Sequence, residues 1–516
     1  MTNFDIHKVD FSLVEIELAR RLGHELGGFG SNWPVVYTIA DSDNVYVGET
    51  LNAVNRMNQH KANPERQDLT TLRVIYNEQF NKSVCLDLES YLIRLISGEG
   101  RFSLLNRNVG IVDSNYYDRA HYREQFELIF ERLKDEGLFE AELEEIQNSD
   151  LFKLSPFKAL TPDQEIAVGQ IMEAITTSLH SDPSSLELIV KGDPGTGKTV
   201  VAIYILKMLS DIQSSSDLED PVSDERFTKF YTERNRDLLG GIKVALVVPQ
   251  QSLRETVERV FRRTPGLERV QVLTPFGIAE SQDRFDLTLV DESHRLGMRS
   301  NQPAAMLNKR FSAANERLFG NDGLHLTQLD WIKAKSDKVV LFVDPFQTVK
   351  PGDLPTSTVL ELVESAKKRE NYIEIISQIR VLAGDKYIPF VKELLRGQAD
   401  ESPDFGEYEF ELFDDLGSMI STIKQKDEEH GLSRAIAGYA WPWNSKGPKN
   451  RHKIDIDEDG VKLQWNGVVK DWINSPGSVS EVGSIHTVQG YDLNYAGVII
   501  GRDLRMDPSD GAVYFD

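Results

Sequence analysis

The chain has 516 residues, 40% of them hydrophobic, with 82 acidic side chains against 58 basic ones and a formal charge of −24. That length predicts three or four domains of water-soluble, globular composition. It holds no apolar run near the ~18 residues that span a bilayer, opens on "MTNFDIHKVD" without the basic-then-apolar pattern of an export signal, and has one cysteine, Cys85, which excludes an internal disulfide framework and a thiolate zinc site.

A reducing cytoplasm is the expected compartment, with no membrane partner. The acidic balance argues against bulk adhesion to a polyanion, so nucleic acid would need a local basic groove. In chain order, residues 1–34 read as a helical lead-in, "LVEIELARRLGHEL", broken by "GGFGSNWP". "PVVYTIA" and "NVYVGE" alternate like two strands joined by the turn "DSDN", and "LNAVNRMNQHK" and "LDLESYLIRLIS" read as helices. From 116 to 150 the text is helical and acidic, which predicts a solvated connector. Beyond "LSPFKALTPDQ", the buried-strand candidates "LELIVK", "KVALVVP", "FDLTLVDE" and "KVVLFVD" alternate with helical stretches, the pattern of a doubly wound parallel sheet. "SSSDLEDPVSDER" interrupts it as a polar insertion, and a further α/β region begins near residue 346.

Gly192 to Thr199 fit GxxxxGKT between a strand and a helix, the context a phosphate loop requires. Gly192, Gly195, Thr196 and Gly197 let backbone N–H groups approach phosphates, and the helix N-terminus adds positive potential. Lys198 would reach the β- and γ-phosphates of ATP and Thr199 would hold Mg²⁺ by its hydroxyl. In "FDLTLVDESH", Asp291 would hold the same Mg²⁺ and Glu292 would orient the attacking water. Gln164, upstream in "LTPDQ", is placed to read the adenine edge. Asp344 and Gln347 end the next strand.

Taken together, "LTPDQ", "GDPGTGKT", "VDES", "VDPFQ", "SQIR", "GYAWPW" and "IHTVQGYDLNY" resemble, in order, a superfamily 1 helicase core, and within it the Schlafen-like DNA/RNA helicase domain. The resemblance spans 155–516 and implies two RecA-like domains that clamp ATP and move along a strand. It implies that Arg380 acts as an arginine finger, that Gln347 couples the γ-phosphate to the strand-binding face, and that Thr487, Gln489 and Gly490 touch nucleic acid or the cleft. Trp441 and Trp443 are expected in the core, with base stacking as the alternative. The final arginine-bearing motif of such proteins has no counterpart after "GVIIGRDLR", so the second RecA-like domain is expected to be C-terminally incomplete.

In the first hundred residues, Tyr37 and Tyr46 fall on adjacent strands, Arg56 and His60 lie one helical turn apart, and Glu89 and Asn106 follow. A phosphodiesterase needs such a mixture: a carboxylate for a divalent metal, a phenol or water as base, and a cation for the developing phosphorane charge. "VVY" and "YVG" with these residues resemble the GIY-YIG nuclease family. That resemblance implies that Glu89 binds Mg²⁺ or Mn²⁺, that Arg56 steadies the scissile phosphate, and that Tyr37 or Tyr46 assists deprotonation of the nucleophile. The same resemblance implies that His60 sits where some members have a catalytic histidine and that Asn106 caps or orients the site.

The expected architecture is therefore α/β throughout. A GIY-YIG-like domain covers 1–112, an acidic helical connector 113–154, a RecA-like ATP-binding domain 155–345, and a second RecA-like domain 346–516. The expected function is an ATP-dependent nucleic-acid motor coupled to a metal-dependent endonuclease, with DNA ahead of RNA as partner. The alternative is an ATP-gated nucleic-acid-binding switch with an inactive nuclease domain.

Overall fold

A computed structural model describes residues 4–13, 15–106, 116–157, 160–181, 186–214, 227–299, 305–347, 352–378, 381, 383–399, 401–468, 472–485, 487–488, 493–507, 509 and 513–515. The chain divides into two compact units, 1–377 and 378–516.

The first sheet uses β1 (Asp5–Asp10), β2 (Val35–Ala40), β3 (Asn44–Thr50), β4 (Thr71–Tyr76) and β5 (Ser103–Leu104), in the order β1-β4-β2-β3-β5. Only the β3–β5 pair is parallel. All six residues of β2 are buried because both faces of the sheet are covered. On one side Val35, Tyr37 and Ile39 meet α1 (Glu15–Glu25) and α2 (Ala53–Ala62) through Leu18, Leu22 and Met57. On the other, Val36 and Ala40 meet α3 (Lys82–Glu99) and α4 (Arg119–Asp135). Asn52 and Asn81 cap the N-termini of α2 and α3 with their side chains.

Two expectations change here. Residues 5–10 of the lead-in form an edge strand rather than helix, pairing antiparallel with β4 over six positions. The acidic stretch 116–150 is not a solvated connector. Most of its charged residues are exposed or half-buried, but Phe126, Ile129, Phe130, Leu133, Leu138, Phe139 and Ile146 are all at most 2% exposed within the first core. The charge pattern recorded the outer face of these helices, and the apolar residues at helical spacing recorded the inner one.

After α5 (Leu143–Asn148) and α6 (Asp150–Lys153), the second layer begins. Ser149 Oγ caps α6 and donates to Gly98 O at 2.8 Å, while Asp150 accepts from Arg259 Nη2 at 2.8 Å. The short helix thus braces the first core against the second. A Cβ on Gly98 would lie 2.8 Å from the Phe152 side chain, so a larger residue there would push α3 and α6 apart.

The second sheet is entirely parallel. Its strands are β6 (Leu186–Gly192), β7 (Val244–Val247), β8 (Gln271–Leu273), β9 (Phe285–Val290), β10 (Ser336–Val343) and β11 (Tyr372–Ile375), in the order β11-β6-β10-β9-β7-β8. Alternate residues of β6 and β10 feed two separate cores. Leu188, Val190, Val340 and Phe342 pack under α7 (Pro162–Ser181), α8 (Lys198–Ser214), α9 (Glu233–Leu239) and α10 (Gln251–Arg263). Ile189, Val339, Leu341 and Val343 pack under α11 (Pro275–Glu280), α13 (Gln328–Lys335) and α14 (Thr356–Lys368), with α12 (Ala305–Phe319) lying outside them. Helices on both faces explain the continuous apolar text of these strands. The boundary expected at 345/346 falls inside this unit, because β11 returns to pair with β6.

The second unit holds α15 (Tyr387–Leu395), α16 (Leu416–His430), β12 (Ser433–Ala437), the hairpin β13 (Ile456–Glu458) and β14 (Val461–Leu463), β15 (Val482–Ser484), β16 (Tyr495–Ile499), β17 (Leu504–Met506) and β18 (Val513–Phe515). β12, β15 and β16 form a parallel sheet in the order β15-β12-β16, with α16 packed on it.

Candidate functional site

Residues 192–199 connect the carboxyl end of β6 to the start of α8. Gly195 and Gly197 both hold φ = +80°, a left-handed conformation that glycine adopts without steric cost. Gly192 cannot be larger either, since a Cβ there would lie 2.4 Å from Thr196 Oγ1. Lys198 is 6% exposed, and its ammonium donates to Gly192 O at 2.7 Å and Asp193 O at 3.2 Å. Two of its three protons therefore organise the loop. Next to it, Thr199 Oγ1 donates to Asp291 Oδ2 at 2.6 Å.

Asp291 and Glu292 follow the end of β9, and Glu292 has φ = +48°. Burial and the neighbouring Glu292 charge raise the Asp291 carboxyl above its ordinary range. Glu292 goes the other way. Burial opposes its ionisation, but His294, Lys198 and Arg295 outweigh that and hold it ionised. Arg295 Nε donates to Glu292 Oε2 at 3.1 Å, and His294 Nε2 lies 3.2 Å from the same oxygen.

His294 is a residue the sequence reading passed over. It is fully buried, and its Nδ1 accepts the Asp344 backbone N–H at 3.1 Å, so Nε2 bears the proton that faces Glu292. The ring thus joins the ends of β9 and β10. Asp344 is also fully buried, with Oδ1 accepting Phe346 N–H at 3.0 Å. Gln347 closes that turn by donating its N–H to Asp344 O at 3.3 Å.

Gln164 is engaged by the protein itself. Its Nε2 donates to Thr196 O at 2.7 Å and its Oε1 accepts Thr161 N–H at 3.0 Å, so it supports the 192–199 loop. Its neighbour Asp163, also unremarked in the sequence, accepts the N–H groups of Ile376 at 2.9 Å and Ser377 at 2.8 Å. Although burial opposes it, these hydrogen bonds and that of Thr161 pull the Asp163 carboxyl down to about 2.

A second cluster lies on the first sheet. Tyr37 Oη is 2.7 Å from His60 Nε2 and accepts from Arg56 Nε at 3.2 Å. Arg66, which has only donors, faces His60 Nδ1 at 3.3 Å. His60 Nδ1 is then the acceptor, and Nε2–H donates to Tyr37, leaving the phenol's own proton to point elsewhere. The Arg66 guanidinium also lies 4.0 Å over the Tyr46 ring, and the Tyr46 ring packs at a tilt against the His60 ring, centroids 4.8 Å apart. Complete burial, and secondarily Tyr46, keep the Tyr37 hydroxyl well above its ordinary range, against the opposing pull of Arg56. Glu89, half-buried on α3, is close enough for its charge to act on both Tyr37 and Cys85.

These five side chains, Tyr37, Tyr46, Arg56, His60 and Glu89, come together from β2, β3, α2 and α3. Asn106 does not join them. Its amide clasps Val47, donating to Val47 O at 2.7 Å and accepting Val47 N–H at 2.9 Å, which fixes β3 behind Tyr46. Gly48 is required by the cluster: a Cβ there would lie 2.3 Å from Tyr37 Oη.

In the second unit, Thr487 Oγ1 donates to Ser484 O at 2.9 Å and accepts Ser484 N–H at 3.1 Å, capping β15. Trp441 Nε1 donates to Glu458 Oε1 at 3.2 Å. Arg380, Gln489 and Gly490 lie outside the described residues. No helix among the described residues is long and apolar enough to cross a membrane.

The "Uncharacterized protein YPL245W" of Saccharomyces cerevisiae is 25% identical over 378 residues, covering 69% of this chain and 77% of that protein. Residues 187–516 match the family described as Schlafen group 3, DNA/RNA helicase domain, a span that takes in all but the first residue of β6, the 192–199 loop, the Asp291–Glu292 pair and the entire second unit. With well over half of its length inside that match, the chain belongs to the Schlafen group 3 DNA/RNA helicase family.

Proposed function

We propose that the protein is a nucleotide-driven nucleic-acid enzyme, in which a RecA-like ATPase layer works with an N-terminal phosphodiester-cleaving module of the GIY-YIG type. The observation that carries the ATPase half is the convergence of Lys198, Thr199 and Asp291 at the carboxyl ends of β6 and β9. Backbone N–H groups around Gly195–Lys198 would receive the β- and γ-phosphates of ATP, with Lys198 turning from its loop carbonyls to them. Thr199 and Asp291 would hold Mg²⁺, and adjacent hydroxyl and carboxylate oxygens suit a hard cation that keeps several waters. The ion would neutralise charge on the β- and γ-oxygens. Glu292, ionised at neutral pH, would accept a proton from the attacking water, and His294 fixes its direction.

For the cleavage module, support comes from Tyr37 with its two donors, His60 and Arg56. Tyr37 or Tyr46 would assist deprotonation of the nucleophile, with His60 and Arg56 holding the Tyr37 hydroxyl in place. Arg56 supplies positive charge for the phosphorane, and Glu89 would hold Mg²⁺ or Mn²⁺, the Lewis acid of the reaction. Among the described residues no three His, Cys, Asp or Glu side chains converge as a metal cage. A cation at Glu89 would therefore complete its shell from substrate and water.

The test is strand cleavage by the whole chain with Mn²⁺ and ATP, on single-stranded DNA and RNA. Wild-type protein is expected to cut and Glu89→Gln to be inactive with unchanged ATP affinity. Equal cutting by both would refute the nuclease assignment. ATP binding without any cutting by wild type would favour the nucleotide-gated binding switch.

A further inference from the structure

Residues 444–454 read "NSKGPKNRHKI", with Lys446, Lys449, Arg451 and Lys453 and no acidic residue among them, in a chain whose formal charge is −24. All four cations are exposed. Among the described residues none has a carboxylate at ion-pair distance, unlike the nearby Lys462, which lies 3.8 Å from Asp457. The segment is a closed loop. Asp455, 6% exposed, accepts Ser445 N–H at 2.8 Å with one oxygen and Trp465 N–H at 2.8 Å with the other. Asn444 Nδ2 donates to Ile454 O at 3.1 Å, and Lys453 N–H donates to Asn450 O at 2.8 Å. A buried carboxylate thus ties down both ends of a cationic loop.

The loop leaves the carboxyl end of β12 through "GYAWPW", and aromatic rings gather at its base. Trp465 is 8% exposed, with Nε1 donating to Ala437 O at 3.2 Å. Tyr439 and Trp443 stand edge-on to it, with ring centroids at 5.5 Å and 5.1 Å. Tyr439 is 69% exposed, and the Lys446 ammonium lies 5.1 Å over the Trp443 ring. One exposed ring, Tyr439, backed by the half-buried Trp443 and set beside unpaired cations, supplies the two things an unpaired nucleotide requires: a face for the base and charge for the phosphate. A duplex hides its base faces, and an acidic peptide has no use for the ring.

We propose that Tyr439, Trp443 and the 446–453 loop form a binding surface for single-stranded nucleic acid. The proposal rests on the nucleic-acid reading above and deepens it by assigning the strand to one surface of the second unit. Tyr439 stacks a base, and Lys446, Lys449, Arg451 and Lys453 neutralise successive phosphates.

The experiment measures fluorescence anisotropy of labelled oligothymidylate and oligouridylate with the full chain, over a range of salt. The variant K446Q/K449Q/R451Q/K453Q is expected to bind at least about tenfold more weakly, with a salt slope reduced by about 2–3, since each phosphate contact on a single strand contributes roughly 0.7. Tyr439→Ala is expected to lose about tenfold with an unchanged slope. Thermal melting by circular dichroism checks that both variants fold. Wild-type binding that the four-site variant matches in affinity and slope would overturn the surface while leaving nucleic-acid binding intact elsewhere. Displacement of the strand by polyglutamate as readily as by unlabelled oligonucleotide would overturn it in favour of an acidic protein partner. No binding of either strand by wild type would overturn both this proposal and the reading beneath it.

Discussion

Gly48 and Tyr37 show how one missing atom can shape a site. The Tyr37 hydroxyl occupies the space that a Cβ at 48 would take, and there it collects donors from His60 and Arg56. Gly48→Ala should displace the ring and cost about 1–3 kcal/mol of stability, as overpacking does, read as a lower denaturant midpoint together with lost cleavage. Tyr37→Phe keeps the packing and removes only the hydroxyl. It should leave the melting temperature within a few degrees of wild type and still abolish cutting. A Tyr37→Phe protein that cuts normally would contradict the role given to this phenol. Individual residues differed in how readable they were. Lys198 and Thr199 stand out because they sit at a fixed offset from a strand and a glycine turn, and Asp291 because it directly follows an apolar strand. His294 does not, since its role depends on an Asp344 N–H 50 positions away, and "DESH" looks the same with or without that partner. For Gln164, nothing in "LTPDQ" reveals that Thr196 O lies beside its amide.

At the level of elements, the ends of strands and helices carry most of the chemistry. Asp163, in the first turn of α7, holds the N–H groups of Ile376 and Ser377 just beyond β11, while its neighbour Gln164 holds the 192–199 loop. One helix start therefore ties the loop to the segment that closes the first unit. Asp163→Asn should weaken this tie by about 1 kcal/mol, allowing for partial solvent exposure, and the Ile376 and Ser377 amides should exchange with solvent faster. The pH dependence has a definite sign. A carboxyl lowered to about 2 stabilises the fold above its unfolded value near 4 and loses that contribution as pH falls from about 4 to 2. The stability gap between wild type and Asp163→Asn should therefore close over that window. A gap that stays constant across it would argue that the carboxylate charge is not what holds the segment. The parallel strands were legible because burial on both faces makes them uninterrupted apolar runs. β1 was not, as "DIHKVD" is a half-polar edge whose only claim to strand is the β4 beside it. For α4 to α6, charge composition outweighed spacing in the reading, and the buried Phe126 and Phe130 show which signal mattered.

On the scale of the whole molecule, the protein combines a small antiparallel-centred sheet with a fully parallel one in its first unit, joined through the brace at Ser149–Phe152, and adds a second, separately compact unit. The two candidate sites of the first unit draw on different sheets and different cores. Lys198→Ala should therefore abolish nucleotide binding and leave any Mn²⁺-dependent, ATP-independent cutting at its basal rate. The net charge of −24 supplies no general attraction for a strand, so nucleic-acid affinity should depend on few groups and fall with salt in proportion to their number. The central claim is that backbone amides around Gly195 and Gly197, with the Lys198 ammonium, hold the phosphates of a nucleotide. Isothermal titration of the full chain with Mg·ATP tests it most directly. The account predicts saturable one-site binding that Lys198→Ala weakens at least about a hundredfold, and titration curves for wild type and Lys198→Ala that coincide, or no heat at millimolar ATP, would contradict it.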